Sequence, residues 1–466
     1  MAEGIDWLNS LSIINKKRIL CLVDGEHHPP VTEWALNSIK RKGGKISGLV
    51  FTGGTEKIKG NNSDSIFSIS CPYYASEKNK SSTTLASLVH QAVEEVSPDL
   101  VIDLSDMPIL DSQTRFKIAS ILLAHEITYA GADFIFTPPA NSNILTKPSI
   151  TIQGTGKRVG KTAVSITLAR ILKRHDISPA VVAMGRGGPS EPQVVFPNKI
   201  KITPEYLLDF AAKGHHAASD YWENAVLSNT TTIGCRRCGG GFAGNPFISN
   251  VSEGVNIANN LPEDLIIMEG SGPTTPPVKT GGKILVTGAH QKIEDLNTYF
   301  GDYRLITADL VIVTMCEPPN ANQEKIKAIE VIIKQINPDV EVVFTVFRPE
   351  PFGDLKNKKI FLATTSPAKV IKTQSAWLEE NYNCTVTGVS THLSNRELLK
   401  NDLKQLKSAD ILLTEIKAAS IDMAAKAAMD YKKKIVFLHN QLVLKENNTK
   451  NLDDIMLDLC KKLTLH

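Results

Sequence analysis

The chain of 466 residues is long enough for two or three domains, and a hydrophobic share of 42% is that of an ordinary globular protein. Its 52 lysines and arginines stand against 49 acidic residues, and a net charge of +3 excludes the global basic footprint of a nucleic-acid binder. No apolar run approaches the roughly 20 residues of a membrane span, no basic-then-apolar start marks a secretory signal, and seven scattered cysteines fit free thiols, so a cytoplasmic protein is expected.

Residues 1–140 read as a smaller, Rossmann-like α/β domain. Arg18 to Val23 is a buried strand that ends in Asp24-Gly25-Glu26-His27-His28-Pro29-Pro30, and a helix follows from about Val31 to Arg41. A second strand, Ile46 to Phe51, ends in Thr52-Gly53-Gly54. A helix near Leu85 to Val96 leads into the strand Asp99 to Asp103 and then Asp106, before a helix from about Ser112 to Glu126. Such alternation implies a parallel sheet with ligands beyond the carboxyl ends of its strands. Asp, Gly and Pro are normal turn residues, but the Asp24 stretch is denser in ionisable groups than a turn requires. Asp24, Glu26 and His27 are therefore candidate substrate-binding residues.

A Pro- and Asn-rich stretch, Thr137 to Asn143, marks the boundary. The second domain, residues 145–466, opens with a short β-branched strand ending near Ile152. Gln153-Gly154-Thr155-Gly156-Lys157-Arg158-Val159-Gly160-Lys161-Thr162 follows, and then a helix with apolar Val164, Leu168, Ile171 and Leu172. Strand, glycine loop and helix with Gly-Lys-Thr at the junction is a phosphate-binding P-loop. Backbone N–H groups of residues 154–162 would cradle polyphosphate at the helix N-terminus. Lys161 would reach the β- and γ-phosphates, and the Thr162 hydroxyl would ligate Mg²⁺. The common spacing asks for glycine at 155, where this chain has Thr155. Its loop resembles the one-residue-longer loop of the dethiobiotin synthetase group.

The next strand, Ala180 to Met184, ends in Gly185-Arg186-Gly187-Gly188-Pro189. Glycines around an arginine let backbone and guanidinium both approach an anion. After two helices comes a second glycine loop, Gly234-Cys235-Arg236-Arg237-Cys238-Gly239-Gly240-Gly241. Its Cys-x-x-Cys could serve zinc, with His215 and His216 completing four ligands, or redox chemistry, for which the thioredoxin-like context is missing. The favoured reading is a pair of arginines presented among glycines to a second phosphate-bearing ligand. The strand Leu265 to Met268 runs into Glu269-Gly270-Ser271-Gly272, the Walker B position, where Glu269 would hold Mg²⁺.

More parallel α/β sheet follows, with a C-terminal α/β subdomain expected from about residue 340. One of its strand ends carries Thr364-Thr365-Ser366, and Thr364 and Thr365 are candidates for holding the nucleotide. The fold class is thus α/β, a P-loop NTPase core with a mainly parallel sheet behind a smaller α/β domain.

Five motifs recur in a fixed order: Asp24-Gly-Glu-His, the loop 154–162, Gly185-Arg-Gly-Gly-Pro, Cys235-Arg-Arg-Cys-Gly-Gly-Gly and Glu269-Gly-Ser-Gly. Together they are similar to the cyclic 2,3-diphosphoglycerate synthetases of methanogenic archaea, over nearly the whole chain. The resemblance implies an ATP-dependent ligase that closes 2,3-diphosphoglycerate into its cyclic phosphoanhydride and releases ADP and phosphate. It implies ATP as co-substrate, Mg²⁺ and K⁺ as cations, and a homodimer. Lys161, Arg186, Arg236 and Arg237 are then the expected catalytic groups, with Gly187, Gly239 and Gly240 joining the arginines at the substrate.

Two rivals share the P-loop. Another ligase or kinase of the dethiobiotin synthetase group would change only the acceptor. A non-enzymatic ATPase switch would carry a second lysine in the loop, and Lys157 stands one residue from the position such proteins use.

Overall fold

The computed structural model describes residues 13–54, 56–57, 70–75, 84–445 and 450–463. They form two units, Met1–Pro139 with Asn297–Thr307, and Ala140–Leu296 with Ala308–His466. No described helix is long and apolar enough to cross a membrane.

The first unit is built on six strands: β1 (Arg18–Val23), β2 (Lys45–Phe51), β3 (Tyr73–Tyr74), β4 (Leu100–Asp103), β5 (Thr128–Ala130) and β6 (Ile135–Phe136). They lie in the order β3-β2-β1-β4-β5-β6, parallel except for β6. β1 sits inside the sheet, and residues 19–23 are fully buried, as a continuous apolar run predicts for a two-sided parallel sheet. The helix Pro29–Arg41 starts on two prolines, whose missing N–H groups need no partner there. Thr84 and Asp111 cap the helices Leu85–Val96 and Ser112–Ala124 by accepting from Ser87 N and Thr114 N. A distant segment returns to this unit: the short helix Gly301–Ile306 follows Phe300, whose ring meets Phe116 and Phe136 edge-on at 5.3 and 5.2 Å. Sequence periodicity gives no sign of that return, because a few ring contacts and one six-residue helix make it.

The second unit holds one sheet of 13 strands. These are β7 (Ser149–Gly154), β8 (Pro179–Gly185), β9 (Gln193–Val195), β10 (Thr232–Cys238), β11 (Ile248–Ser249), β12 (Leu265–Glu269), β13 (Gly282–Gly288), β14 (Leu310–Thr314), β15 (Glu341–Pro351), β16 (Lys359–Ala363), β17 (Thr385–Ser390), β18 (Ile411–Thr414) and β19 (Lys434–Leu444). β7 lies between β12 and β13, parallel to both, with Glu269 opposite Ile152. The P-loop strand is therefore central, and the Walker B strand is its direct neighbour.

β15 and β19 are the two longest strands among the described residues, and they pair antiparallel from Thr345↔Leu444 to Pro351↔Leu438. This pair joins two parallel blocks into one sheet. The sequence reads as a strand over Val340–Val346 that ends in Phe347-Arg348-Pro349, and proline has no N–H to donate. The strand nevertheless continues through Pro349 to Pro351. The two prolines share parity, and an antiparallel ladder needs a donor only at alternate residues.

Candidate nucleotide and substrate site

The P-loop closes on its own lysine. Gly160 has φ +98, and a Cβ there would stand 2.5 Å from the Phe347 ring, so only glycine turns the loop into the helix Lys161–Arg174. A Cβ on Gly154 would meet Lys161 Nζ at 2.9 Å. Lys161 Nζ donates to Gly156 O at 2.9 Å. Thr155 is tied down by Gln291 at 2.6 Å, and Val159 O accepts from the Thr314 hydroxyl at 2.8 Å. Lys157 and Arg158 are exposed on the loop and line the cavity in front of it. Arg158, Met315 and Ala418 all have positive φ without being glycine, and all three line that cavity, the kind of backbone strain that clusters at functional sites.

Thr162 Oγ1 donates to Glu269 Oε1 at 2.6 Å, and Asn224 Nδ2 donates to Glu269 Oε2 at 2.6 Å. Glu269 is 1% exposed. Burial, helped by nearby Asp220, raises its carboxyl to about 8 against the hydrogen bonds of Thr162 and Asn224. Burial lowers the Lys161 ammonium, while Glu269 and Asp220 pull it back up. Three oxygen groups, Thr162, Glu269 and Asp220, thus face the loop, and a set made only of oxygens suits a hard cation such as Mg²⁺.

A raised carboxyl is a statement about stability. Glu269 ionises at 4.5 when unfolded and near 8 in the ligand-free fold, so its contribution is complete below pH 4.5 and is lost as pH rises to about 8. Glu269→Gln, which cannot ionise, should therefore gain in thermal midpoint relative to the parent by several degrees between pH 5 and pH 8, then stay level. A difference between the two proteins that is flat across that window would refute the assignment.

The cavity has a volume of about 1210 Å³ and lies wholly within the second unit. Arg186 and Gly187 line one side with His216. A Cβ on Gly187 would overlap the His216 ring, and one on Gly272 would stand 2.7 Å from Arg186 Nη2. The lining also includes Phe347 and Trp377, with Arg348 held bidentate by Glu317 at 2.6 and 2.8 Å and lying 5.2 Å over the Trp377 ring. Beside the P-loop, Lys417 Nζ lies 3.1 Å from Glu223 Oε1. Glu415 accepts from Thr364 Oγ1, Thr365 N, Thr365 Oγ1 and Asn440 Nδ2 at 2.7–3.1 Å.

The expected second glycine loop is a strand over its first half. Cys235 to Cys238 lie on β10, where side chains alternate between faces. Cys235 is buried, with its thiol pushed up to about 12 by burial, while Cys238 is exposed, and both are free. Neither zinc nor a disulfide joins them, since residues three apart on a strand point opposite ways. The same alternation separates the two arginines. Arg237 bonds to Ser271 O at 2.8 Å and Gly239 O at 2.9 Å, and burial and Arg186 lower its guanidinium. Arg236 instead bonds Gly188 O through Nε at 3.1 Å. Gly239 (φ +72) packs against Phe247 and Gly240 against Thr274.

Thr365 lines the cavity, whereas Thr364 is fully buried and spends its hydroxyl on Glu415 and on the Ser366 N–H. Asp24, Glu26 and His27 lie in the first unit. Asp24 is 1% exposed and accepts from Glu26 N, His27 N, Asp106 N and the His27 ring. That makes Asp24 the group that ties the ends of β1 and β4 together rather than an exposed group. Glu26 is raised by its hydrogen bond with Glu56. Sequence reading passed over Asp220, Glu223, Glu415 and Lys417, and it weighed His216 only as a zinc ligand. Glu415-Ile416-Lys417 follows the end of β18, the same position that marked every other motif.

Three family descriptions match consecutive stretches: the N-terminal domain of cyclic 2,3-diphosphoglycerate synthetase at residues 18–137, its P-loop domain at 149–346 and its C-terminal domain at 351–441. The chain belongs to the cyclic 2,3-diphosphoglycerate synthetase family. Synthetases of that name from Methanothermus fervidus, Methanothermobacter thermautotrophicus and Thermococcus sibiricus are 46%, 42% and 44% identical to it. The alignments cover 95%, 95% and 94% of this chain and 96%, 96% and 98% of the relatives. The P-loop and C-terminal matches of the synthetase family meet inside β15, so Thr365, Glu415 and Lys417 reach the cavity from the C-terminal domain.

Proposed function

We propose that this chain uses ATP to close 2,3-diphosphoglycerate into cyclic 2,3-diphosphoglycerate, releasing ADP and phosphate. One observation carries the reading: the P-loop, Glu269, Arg186 and Lys417 open onto a single cavity of about 1210 Å³, which is room for a nucleotide beside a second polyanion.

An oxygen of one substrate phosphate attacks the γ-phosphorus in line, the γ-phosphorus–bridging oxygen bond breaks, and ADP leaves. The second substrate phosphate then attacks the phosphorus of the first. The bond to the transferred phosphate breaks, and inorganic phosphate departs as the intramolecular anhydride closes. Both nucleophiles are anionic at neutral pH, so no strong general base is required. The task is to hold like charges together, which is work for oriented dipoles and cations. Lys161 and the N–H groups of residues 154–162 grip the nucleotide, with Thr365 beside it. Arg186 and Gly187 grip the diphosphoglycerate, whereas Arg237, Gly239 and Gly240 do not line the cavity, and Arg237 braces Ser271, which does. Thr162 and Glu269 would hold Mg²⁺, which neutralises charge on the nucleotide phosphates when bound. The family resemblance carries with it potassium, a homodimer and a cytoplasmic setting.

Arg186 reaches the cavity and Arg236 leans on a backbone carbonyl, so the two arginines should differ. Arg186→Ala should raise the KM for 2,3-diphosphoglycerate about ten- to hundredfold, the loss of a charge-assisted hydrogen bond. Arg236→Ala should stay within about threefold, as exposed charges usually do. Equal effects would sink that division. The reaction itself is tested by ³¹P NMR of the protein with ATP, Mg²⁺, K⁺ and 2,3-diphosphoglycerate. New anhydride resonances should grow as the monoester signals fade, with ADP and phosphate in step. ATP hydrolysed equally fast without the acceptor would point to a different acceptor or to a switch.

A further inference from the structure

The first unit carries a cluster that the ATP chemistry leaves unused. His90 and Glu94 stand one turn apart on the helix Leu85–Val96, so they share a face. His125 ends the neighbouring helix Ser112–Ala124. His90 Nδ1 and His125 Nε2 are 3.2 Å apart, their ring centres are 5.1 Å apart, and Glu94 Oε1 is 3.4 Å from His125 Nδ1. One donor atom from each of the three lies within 4.8 Å of the other two.

The spacing decides what the cluster suits. Two imidazole nitrogens, each about 2.0–2.1 Å from one tetrahedral zinc ion, stand about 3.3 Å apart. Here the separation is 3.2 Å before any metal is bound. We propose that His90, Glu94 and His125 bind one divalent transition-metal ion of the zinc class, with water completing its shell on the exposed side. The ion staples the helix Leu85–Val96 to the end of the helix Ser112–Ala124. Two imidazoles and a carboxylate favour zinc, nickel or copper over magnesium, so this centre differs in chemistry from the all-oxygen set at Thr162 and Glu269. Glu94 is exposed and free to turn from the His125 ring to the ion. The competing arrangement is a plain hydrogen-bond chain from Glu94 through His125 to His90, with no metal.

The test is a Zn²⁺ titration of the full chain, stripped with chelator, against a chromophoric indicator in excess magnesium. One zinc should bind per chain at this site and raise the thermal midpoint. His90→Gln and His125→Gln should each weaken it by more than about 100-fold, and Glu94→Gln by about 10–100-fold. Zinc binding unchanged in the two histidine variants would overturn the proposal. Footprinting of the unaltered protein with diethyl pyrocarbonate gives an answer that needs no variant. Zinc should protect His90 and His125, and equal modification with and without zinc would mean that the hydrogen-bond chain is all there is.

Discussion

Lys161→Ala should lower kcat by at least about 10²–10³-fold while leaving the ligand-free fold nearly as stable as before. Both halves follow from where the ammonium sits. It is buried beneath Gly154, and among the described residues its hydrogen bond goes to the Gly156 carbonyl. Its charge is balanced at a distance by Glu269 and Asp220 rather than by a contact ion pair. Burial lowers its pKa, so the ligand-free fold gains little from the positive charge. A triphosphate changes that balance, because its oxygens replace the Gly156 carbonyl and the low-dielectric pocket strengthens the attraction. The charge therefore stabilises the reacting complex and not the empty loop. Lys161→Arg should not restore activity, since a planar fork has no room where a single Cβ on Gly154 would already come within 2.9 Å. Steady-state ADP release, read beside thermal midpoints without nucleotide, separates the two halves. A kcat within tenfold of the parent would remove Lys161 from the reaction.

The P-loop was legible because its signal is local: a strand, glycines at 154, 156 and 160, and Lys161-Thr162 opening a helix. Glu269 was legible for a related reason, as the acid that ends a buried strand. What the sequence concealed depends on which way a side chain faces and on which distant strand lies alongside. Arg236 and Arg237 look like a pair until β10 turns them to opposite sides, and Cys235 and Cys238 part for the same reason. Glycine-rich composition suggested a loop there, yet the stretch through Cys238 pairs in register with β8 through Arg236. Thr364 and Thr365 were read as nucleotide groups. Their hydroxyls both turn to Glu415, and no local pattern announces a partner that far along the chain. Lys417 was hidden most completely. It matters because β18 and the P-loop share one sheet, an arrangement that depends on the long β15–β19 pair running through two prolines.

Lys417→Ala should destabilise the protein by about 3 kcal/mol, and more at pH 8.5 than at pH 6. Lys417 keeps 32% of its side chain accessible while Glu223 keeps 5%, so water in the cavity relieves part of the loss. That places the cost at the low end of the range for breaking a buried ion pair. Burial, Asp220 and Glu415 raise the Glu223 carboxyl to about 7 even though Lys417 pulls it down. Glu415 is raised by burial too, but Lys417, Thr365 and Asn440 together carry it below 4.5. In return, burial lowers the Lys417 ammonium while Glu223 and Glu415 hold it well above its ordinary value. Removing the ammonium lifts the Glu223 carboxyl further and takes away one of the groups that hold Glu415 down. A carboxyl raised in the fold contributes stability below pH 4.5 and loses it as pH climbs to the folded value. The penalty of Lys417→Ala must therefore grow with pH instead of staying level. Glu223→Gln placed in the Lys417→Ala background should recover about half of the loss and flatten the pH dependence, because Glu223 Oε2 has no hydrogen-bond partner among the described residues and an amide there carries no charge to leave stranded. Urea midpoints of the parent, the single and the double variant at the two pH values settle the matter. A penalty equal at pH 6 and pH 8.5, or a double variant no more stable than Lys417→Ala, would show that the ammonium acts through packing and not through the charges it neutralises.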